Sequence, residues 1–141
     1  LMVACVQASL LTFQVAGGVQ ATRRKSLLLT SYLEALLKER GLLLDGDAAP
    51  GSSKTRATLR LVTPQEASRR GCQLSLRVVP NASGGGAPLT MRALEEALRE
   101  EHGVVGDARE PDILRISPAP LYNSFEDAHR VVDALQKCLK N

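Results

Sequence analysis

Two periods run through the hydrophobic and polar positions of this chain, and the switch between them marks its elements. Leu29, Tyr32, Leu33 and Leu36 follow the i, i+3, i+4, i+7 spacing of one helix face, and Gly41 ends that helix. Upstream, Ala8 to Ala16 has helical character until Gly17-Gly18 interrupts it, each glycine costing about 1 kcal/mol relative to alanine in a helix interior. Two helical segments meeting at a bend are expected. Leu59 to Val62 then alternates as a strand closed by Thr63-Pro64. Gln73 to Val79 alternates more clearly, with Leu74, Leu76 and Val78 on one face and Gln73, Ser75 and Arg77 on the other. That strand should lie centrally in a sheet covered on one side.

The second half repeats the scheme. A helix is predicted over Pro88 to Glu101, with Met91, Leu94 and Leu98 inward, the carboxylates Glu95, Glu96, Glu100 and Glu101 in solvent, and His102-Gly103 as its stop. Val104 to Arg109 makes a third strand, Pro111 and Asp112 turn the chain, and Ile113 to Ser117 makes a fourth. Ser124 caps the last helix and Asp127, three residues on, completes a capping box. That helix should bury Phe125, Ala128, Val132, Leu135 and Leu139 and leave His129 exposed. The order of two helices, two strands, helix, two strands, helix predicts an α+β fold, a small antiparallel or mixed sheet of about four strands covered by helices on one face.

Composition narrows the function. The 141 residues suit one domain with a real core. With only two Tyr and two Phe, that core must be built from Leu, Val and Ala. A net charge of +3 with both signs interspersed is too mild for nucleic acid, and no aromatic and basic residues interleave as in a single-strand platform. Cys5, Cys72 and Cys138 are odd in number and widely spaced, with no Cys-x-x-Cys and no histidine at ligand spacing. A reducing compartment and no metal site are the simplest reading. Leu1 to Thr22 carries no charged side chain, but Gln7, Ser9, Thr12, Gln14, Gly17, Gly18 and Gln20 make it too polar for a good membrane span, and no basic leader precedes it. The expectation is a buried helix against another protein layer, with no membrane role. The chain begins with Leu rather than Met, consistent with a piece of a longer polypeptide.

Most candidate chemistry reads as structure. Arg23-Arg24-Lys25 is three bases on one helix pointing in different directions, a solvated face rather than an anion site. Asp45 to Lys54 and Asn81 to Gly86 are Gly- and Ser-rich loops. The first has no apolar neighbours to desolvate Lys54 as a Schiff-base lysine, and the second lacks a phosphate-cradle pattern. Cys72 has no histidine near it in sequence and reads as a small hydrophobe.

Arg115 stands apart. Alternation puts Leu114 and Ile116 on one face of their strand and Ile113 and Arg115 on the other. Pro118 and Pro120 then stiffen the exit. On pattern alone Arg115 meets either a ligand or a structural acid.

The run Leu114-Arg115-Ile116-Ser117-Pro118-Ala119-Pro120-Leu121-Tyr122-Asn123-Ser124-Phe125 closely resembles the C-terminal end of kynureninases, pyridoxal phosphate (PLP) enzymes of fold type I. Three further blocks agree in order and spacing. They are Arg24-Lys25-Ser26 with Leu28-Leu29-Thr30 and Tyr32-Leu33-Glu34, then Arg70-Gly71-Cys72-Gln73-Leu74, then Gly103-Val104-Val105 with Asp107 and Arg109. The resemblance implies a single C-terminal small domain over residues 1–141, with 1–40 as interdomain helices and 56–141 as the α+β sandwich. It implies hydrolysis of L-kynurenine or 3-hydroxykynurenine to an anthranilate and L-alanine, in tryptophan catabolism and NAD biosynthesis. It gives Arg115 the substrate α-carboxylate, which a guanidinium can bind bidentately as lysine cannot. PLP, its lysine and the ring pocket are assigned to a large domain preceding Leu1, so this chain should hold no catalytic residue, bind no PLP and be inactive alone. The resemblance also implies a cytoplasmic homodimer formed through the full-length chain. Two rivals are a stand-alone α+β ligand-binding module, soluble and without an exposed apolar first helix, and a protein-interaction fragment that exposes Leu1 to Val15 and associates.

Overall fold

The computed structural model describes residues 2–44, 46, 55–81 and 89–140. The two predicted loops lie largely outside that set, as does Lys54. Helix α1 (Met2–Val15) and helix α2 (Gly18–Glu39) meet at a bend of 67°. Gly17 and Gly18 make the bend with φ of 89° and 80°, a left-handed conformation that side-chain-bearing residues rarely adopt. No single helix among the described residues is long and apolar enough to cross a membrane, although the bent pair passes that test on length and composition.

The two helices then diverge in environment. α2 buries Thr22, Ser26, Leu29, Thr30, Leu33, Leu36 and Leu37 along one stripe. It ends in a Schellman arrangement, where Gly41 N–H donates to Lys38 O at 2.9 Å and Leu42 N–H to Leu37 O at 2.9 Å. α1 buries no residue within this chain, so the protein layer expected against it is not supplied by the described residues. Its apolar residues lie all round the helix, so no stripe directs it onto the sheet.

Five strands follow: β1 (Leu43–Leu44), β2 (Ala57–Leu61), β3 (Leu74–Pro80), β4 (Asp107–Arg109) and β5 (Ile113–Ile116). Their order across the sheet is β1-β2-β3-β5-β4, with β1 parallel to β2 and every other pair antiparallel. The architecture is the expected α+β with a small mixed sheet, and β3 is central. The fifth strand, β1, is two residues long, too short to show an alternation. The third predicted strand starts later than its sequence pattern, at Asp107, because Val104 N–H still donates to Leu98 O at 2.8 Å and belongs to the helix exit.

Helix α3 (Met91–His102) and helix α4 (Phe125–Lys140) complete the chain. Thr90 caps α3 by accepting from Ala93 N–H, and Gly103 ends it in a left-handed conformation. In α4 the capping box forms as expected. Asp127 N–H donates to Ser124 Oγ at 3.2 Å, and the Asp127 carboxylate accepts from Ser124 N–H at 2.8 Å. The Ser124 N–H bond first, and after it the bond that the Ser124 hydroxyl donates to the same carboxylate at 3.0 Å, hold the Asp127 carboxyl below the usual carboxylate range.

One core joins α2, α3 and α4 to a single face of the sheet. Leu59, Leu74, Leu76, Val78, Leu114 and Ile116 supply the strand side, and Leu33, Leu37, Leu94, Leu98, Leu135 and Leu139 part of the helix side. α4 buries Ala128, Val132, Leu135 and Leu139 as expected, but Phe125 stays exposed. It sits in the first turn, where its ring meets Tyr32 edge-on with centroids 5.3 Å apart.

Candidate functional site

The sheet face opposite the helices is polar. Registration places Arg60 beside Arg77, Arg77 beside Ile113, and Ser75 beside Arg115. Across β5, Ile113 pairs with Arg109 and Arg115 with Asp107. Parity along each strand therefore collects Arg60, Arg77, Arg109 and Arg115 on one face, against the carboxylates of Asp107 and Asp112. That face is basic. Arg77 Nε meets Asp112 at 3.2 Å.

Arg115 lies inside this patch, flanked by β3 and β4, with 32% of its side chain exposed. Its Nη2 donates to the Asp107 carboxylate. The same carboxylate takes Arg109, at 2.9 Å from Nε and 3.1 Å from Nη2. The Arg115 hydrogen bond first, and Arg109 after it, hold the Asp107 carboxyl below the usual range. Arg115 Nε is shielded from solvent without a hydrogen-bond partner. Asp107 is the hydrogen-bonding and ion-pairing partner of Arg115 among the described residues. One guanidinium thus keeps donor capacity that the described residues leave unused.

Neutral polar groups border it. Gln73 Nε2 donates to Ser75 Oγ at 3.3 Å, Ser117 Oγ donates to Gln73 Oε1 at 3.3 Å, and Thr63 Oγ1 accepts from Ser75 N–H at 2.7 Å. Such a setting suits an anion, because the arginines of this face outnumber its carboxylates Asp107 and Asp112, each of which is paired with an arginine, and the donors are carried on strands. Gly106 helps β4 fit against β5. A Cβ there would lie 3.0 Å from Leu114 Cδ1.

The other sequence candidates are placed elsewhere. Arg23 is not on a solvated face: its Nη2 donates to the carbonyls of Ala67 and Ser68 at 3.2 and 3.3 Å, tying α2 to a short 3-10 turn (Ala67–Arg69). Arg70 is buried and pairs with Glu34 of α2 at 2.6 Å. Burial pulls the Glu34 carboxyl upward, but the hydrogen bonds of Lys38 and Arg70 outweigh it and the net shift is downward. His129 is partly exposed beside Asp133, at 3.2 Å. The three cysteines are free, and burial first, then the Glu101 charge, pushes the Cys138 thiol up. Among the described residues no group of three His, Cys, Asp or Glu side chains could hold a metal ion.

A cleft of about 390 Å³ lies on the other side of β5, lined by Val104, Val105, Ile116, Tyr122, Asn123 and Arg130 among others. Arg115 is not among its lining residues, and its Asp127 is committed to the α4 cap. No lysine among the described residues fits a PLP site. Lys38, Lys137 and Lys140 are exposed and Lys25 is only half-buried, whereas a Schiff-base lysine needs desolvation to lower its pKa. Sequence reasoning missed Asp107. Its two-residue spacing from Arg109 was visible, but its register against Arg115 was not.

A family model described as "Kynureninase C-terminal domain" matches residues 22–135. Similar curated proteins include a kynureninase of Stenotrophomonas maltophilia, 46% identical over 93% of this chain and 26% of that protein. "Kynureninase 1" of Chaetomium globosum is 44% identical over 94% of this chain and 23% of its own length. A kynureninase of Vanderwaltozyma polyspora is 40% identical over 97% and 30%. The chain therefore spans about a quarter of the length of these relatives.

Proposed function

This chain belongs to the kynureninase C-terminal domain family, and on that premise we propose that it is the C-terminal part of a PLP-dependent hydrolase. The full enzyme cleaves the side-chain carbon–carbon bond of L-kynurenine or 3-hydroxykynurenine, giving anthranilate or 3-hydroxyanthranilate and L-alanine. It serves tryptophan catabolism and NAD biosynthesis as a cytoplasmic homodimer. Residues 1–40 act as interdomain helices and 56–141 as the small-domain sandwich.

The part of this chain in that reaction is to bind and orient. Arg115 holds the substrate α-carboxylate through two charge-assisted hydrogen bonds, which fixes the substrate against rotation. PLP and the groups that hold it are supplied by the rest of the enzyme, so the isolated chain turns over no kynurenine. The observation that carries the proposal is a half-buried guanidinium, held by Asp107 at one nitrogen and with Nε unpaired among the described residues, on the basic sheet face that the helices leave open.

Steady-state kinetics of the full-length enzyme carrying Arg115→Ala test it. Loss of a bidentate charge-assisted clamp should lower kcat/KM about 100-fold, or about 2.7 kcal/mol, much of it in KM. A variant within about threefold of the parent would remove Arg115 from the substrate site. The interaction-fragment reading keeps one supporting observation, the uncovered apolar surface of α1.

A further inference from the structure

We propose that Asp107 is the positioning residue for Arg115, holding its guanidinium by Nη2 so that the remaining donors face an incoming carboxylate. This rests on the reading of Arg115 as the carboxylate ligand. The arrangement comes from strand register: Asp107 and Arg115 are directly opposed on the antiparallel β4 and β5, on the open face of the sheet. A free arginine side chain has many rotamers, and one fixed ion pair removes most of them before the substrate arrives.

The arrangement contains a competing effect. A carboxylate beside the binding guanidinium also lowers the local positive potential and could occupy donors that the substrate needs. Two features make positioning the larger effect. Arg109 shares the Asp107 carboxylate, through both Nε and Nη2, so its charge is already neutralised by a second guanidinium and the group of three stays net positive. Asp107 takes the Arg115 guanidinium at Nη2, and Nε, shielded from solvent, has no hydrogen-bond partner among the described residues, so the pair with Asp107 leaves part of the donor set unsatisfied by protein. The two effects have opposite signs on substrate affinity. Aiming predicts weaker carboxylate binding when Asp107 is neutralised, and competition predicts tighter binding.

The test uses the full-length holoenzyme with Asp107→Asn, Asp107→Glu and Arg115→Ala. It measures KM and kcat for L-kynurenine, and the inhibition constant of its α-carboxamide, which lacks the charge. Asp107→Asn should raise KM about tenfold with kcat within about twofold of the parent, while the carboxamide binds unchanged. Asp107→Glu, which keeps the charge, should recover part of the loss. A general structural defect would weaken acid and amide alike and would not be rescued, so that pattern overturns the proposal. An unchanged or lower KM in Asp107→Asn, with Arg115→Ala still impaired, also overturns it and leaves Arg115 as the ligand. If Arg115→Ala itself keeps the preference for acid over amide, the underlying reading of Arg115 fails instead.

Discussion

Leu114 and Arg115 are consecutive in β5, and the two faces they occupy do different work. Leu114 is fully buried against the helices, with Leu76 directly across from it on β3. Arg115 points the other way, into a face where charge is paired with charge and solvent still reaches the side chains. One backbone segment therefore serves both stability and recognition, and the pleat keeps them apart. A change on one face should leave the other face's property nearly untouched.

Leu114→Ala gives the largest expected effect on folding. Truncating a fully buried leucine in a packed core costs about 3 kcal/mol, read as a loss of unfolding free energy in urea. Arg115→Ala in the same assay should cost under about 1 kcal/mol, because a partly exposed ion pair contributes little. A cost for Arg115→Ala as large as that of Leu114→Ala would break the contrast and make Arg115 a structural residue.

Arg70 sharpens the contrast from the other side, as a charged residue placed like a core residue. Its side chain is 2% exposed and that of its partner Glu34 13%. Removing one member of a buried pair leaves the other uncompensated, so Arg70→Ala should cost about 3 kcal/mol, moderated by the contact Glu34 keeps with Lys38 at 2.9 Å. The pair also carries a pH signature. Glu34 has a folded pKa below its ordinary value of 4.5. Its contribution is complete above about pH 4.5 and is lost as the pH falls through the folded pKa. Stability measured between pH 6 and about 3 should decline less steeply in Arg70→Ala than in the parent, because the pairing that depresses the pKa is weakened.

These differences bear on what the sequence could reveal. α2, α3, α4 and β3 were legible because each repeats its period long enough to define a face. The open face of β5 was legible by parity alone, which is why Arg115 could be singled out before its neighbours were known. Asp107 was not, because register depends on how residues 110–112 turn, and a three-residue strand holds too little pattern to fix it. Burial of Arg70 was hidden for a related reason. A charged side chain enters a core only with its partner, and Glu34 lies thirty-six positions away in sequence. α1 was legible only in part, since apolar composition without a stripe says that a surface is sticky but not where it packs.

That helix supplies the smallest expected effect on folding. Leu10 and Leu11 are 56% and 59% exposed and lie outside the core cluster. Replacing both with serine should change unfolding free energy by less than about 0.5 kcal/mol per site. The same change should reduce self-association of the isolated chain in sedimentation velocity, because a contiguous exposed apolar surface is an association site. A folding cost close to that of Leu114→Ala would mean that α1 packs against its own chain. An unchanged sedimentation profile would show that the apolar surface of α1 does not drive association. Leu114 and Leu10 have the same side chain, and the difference between them is whether another surface has removed water from it.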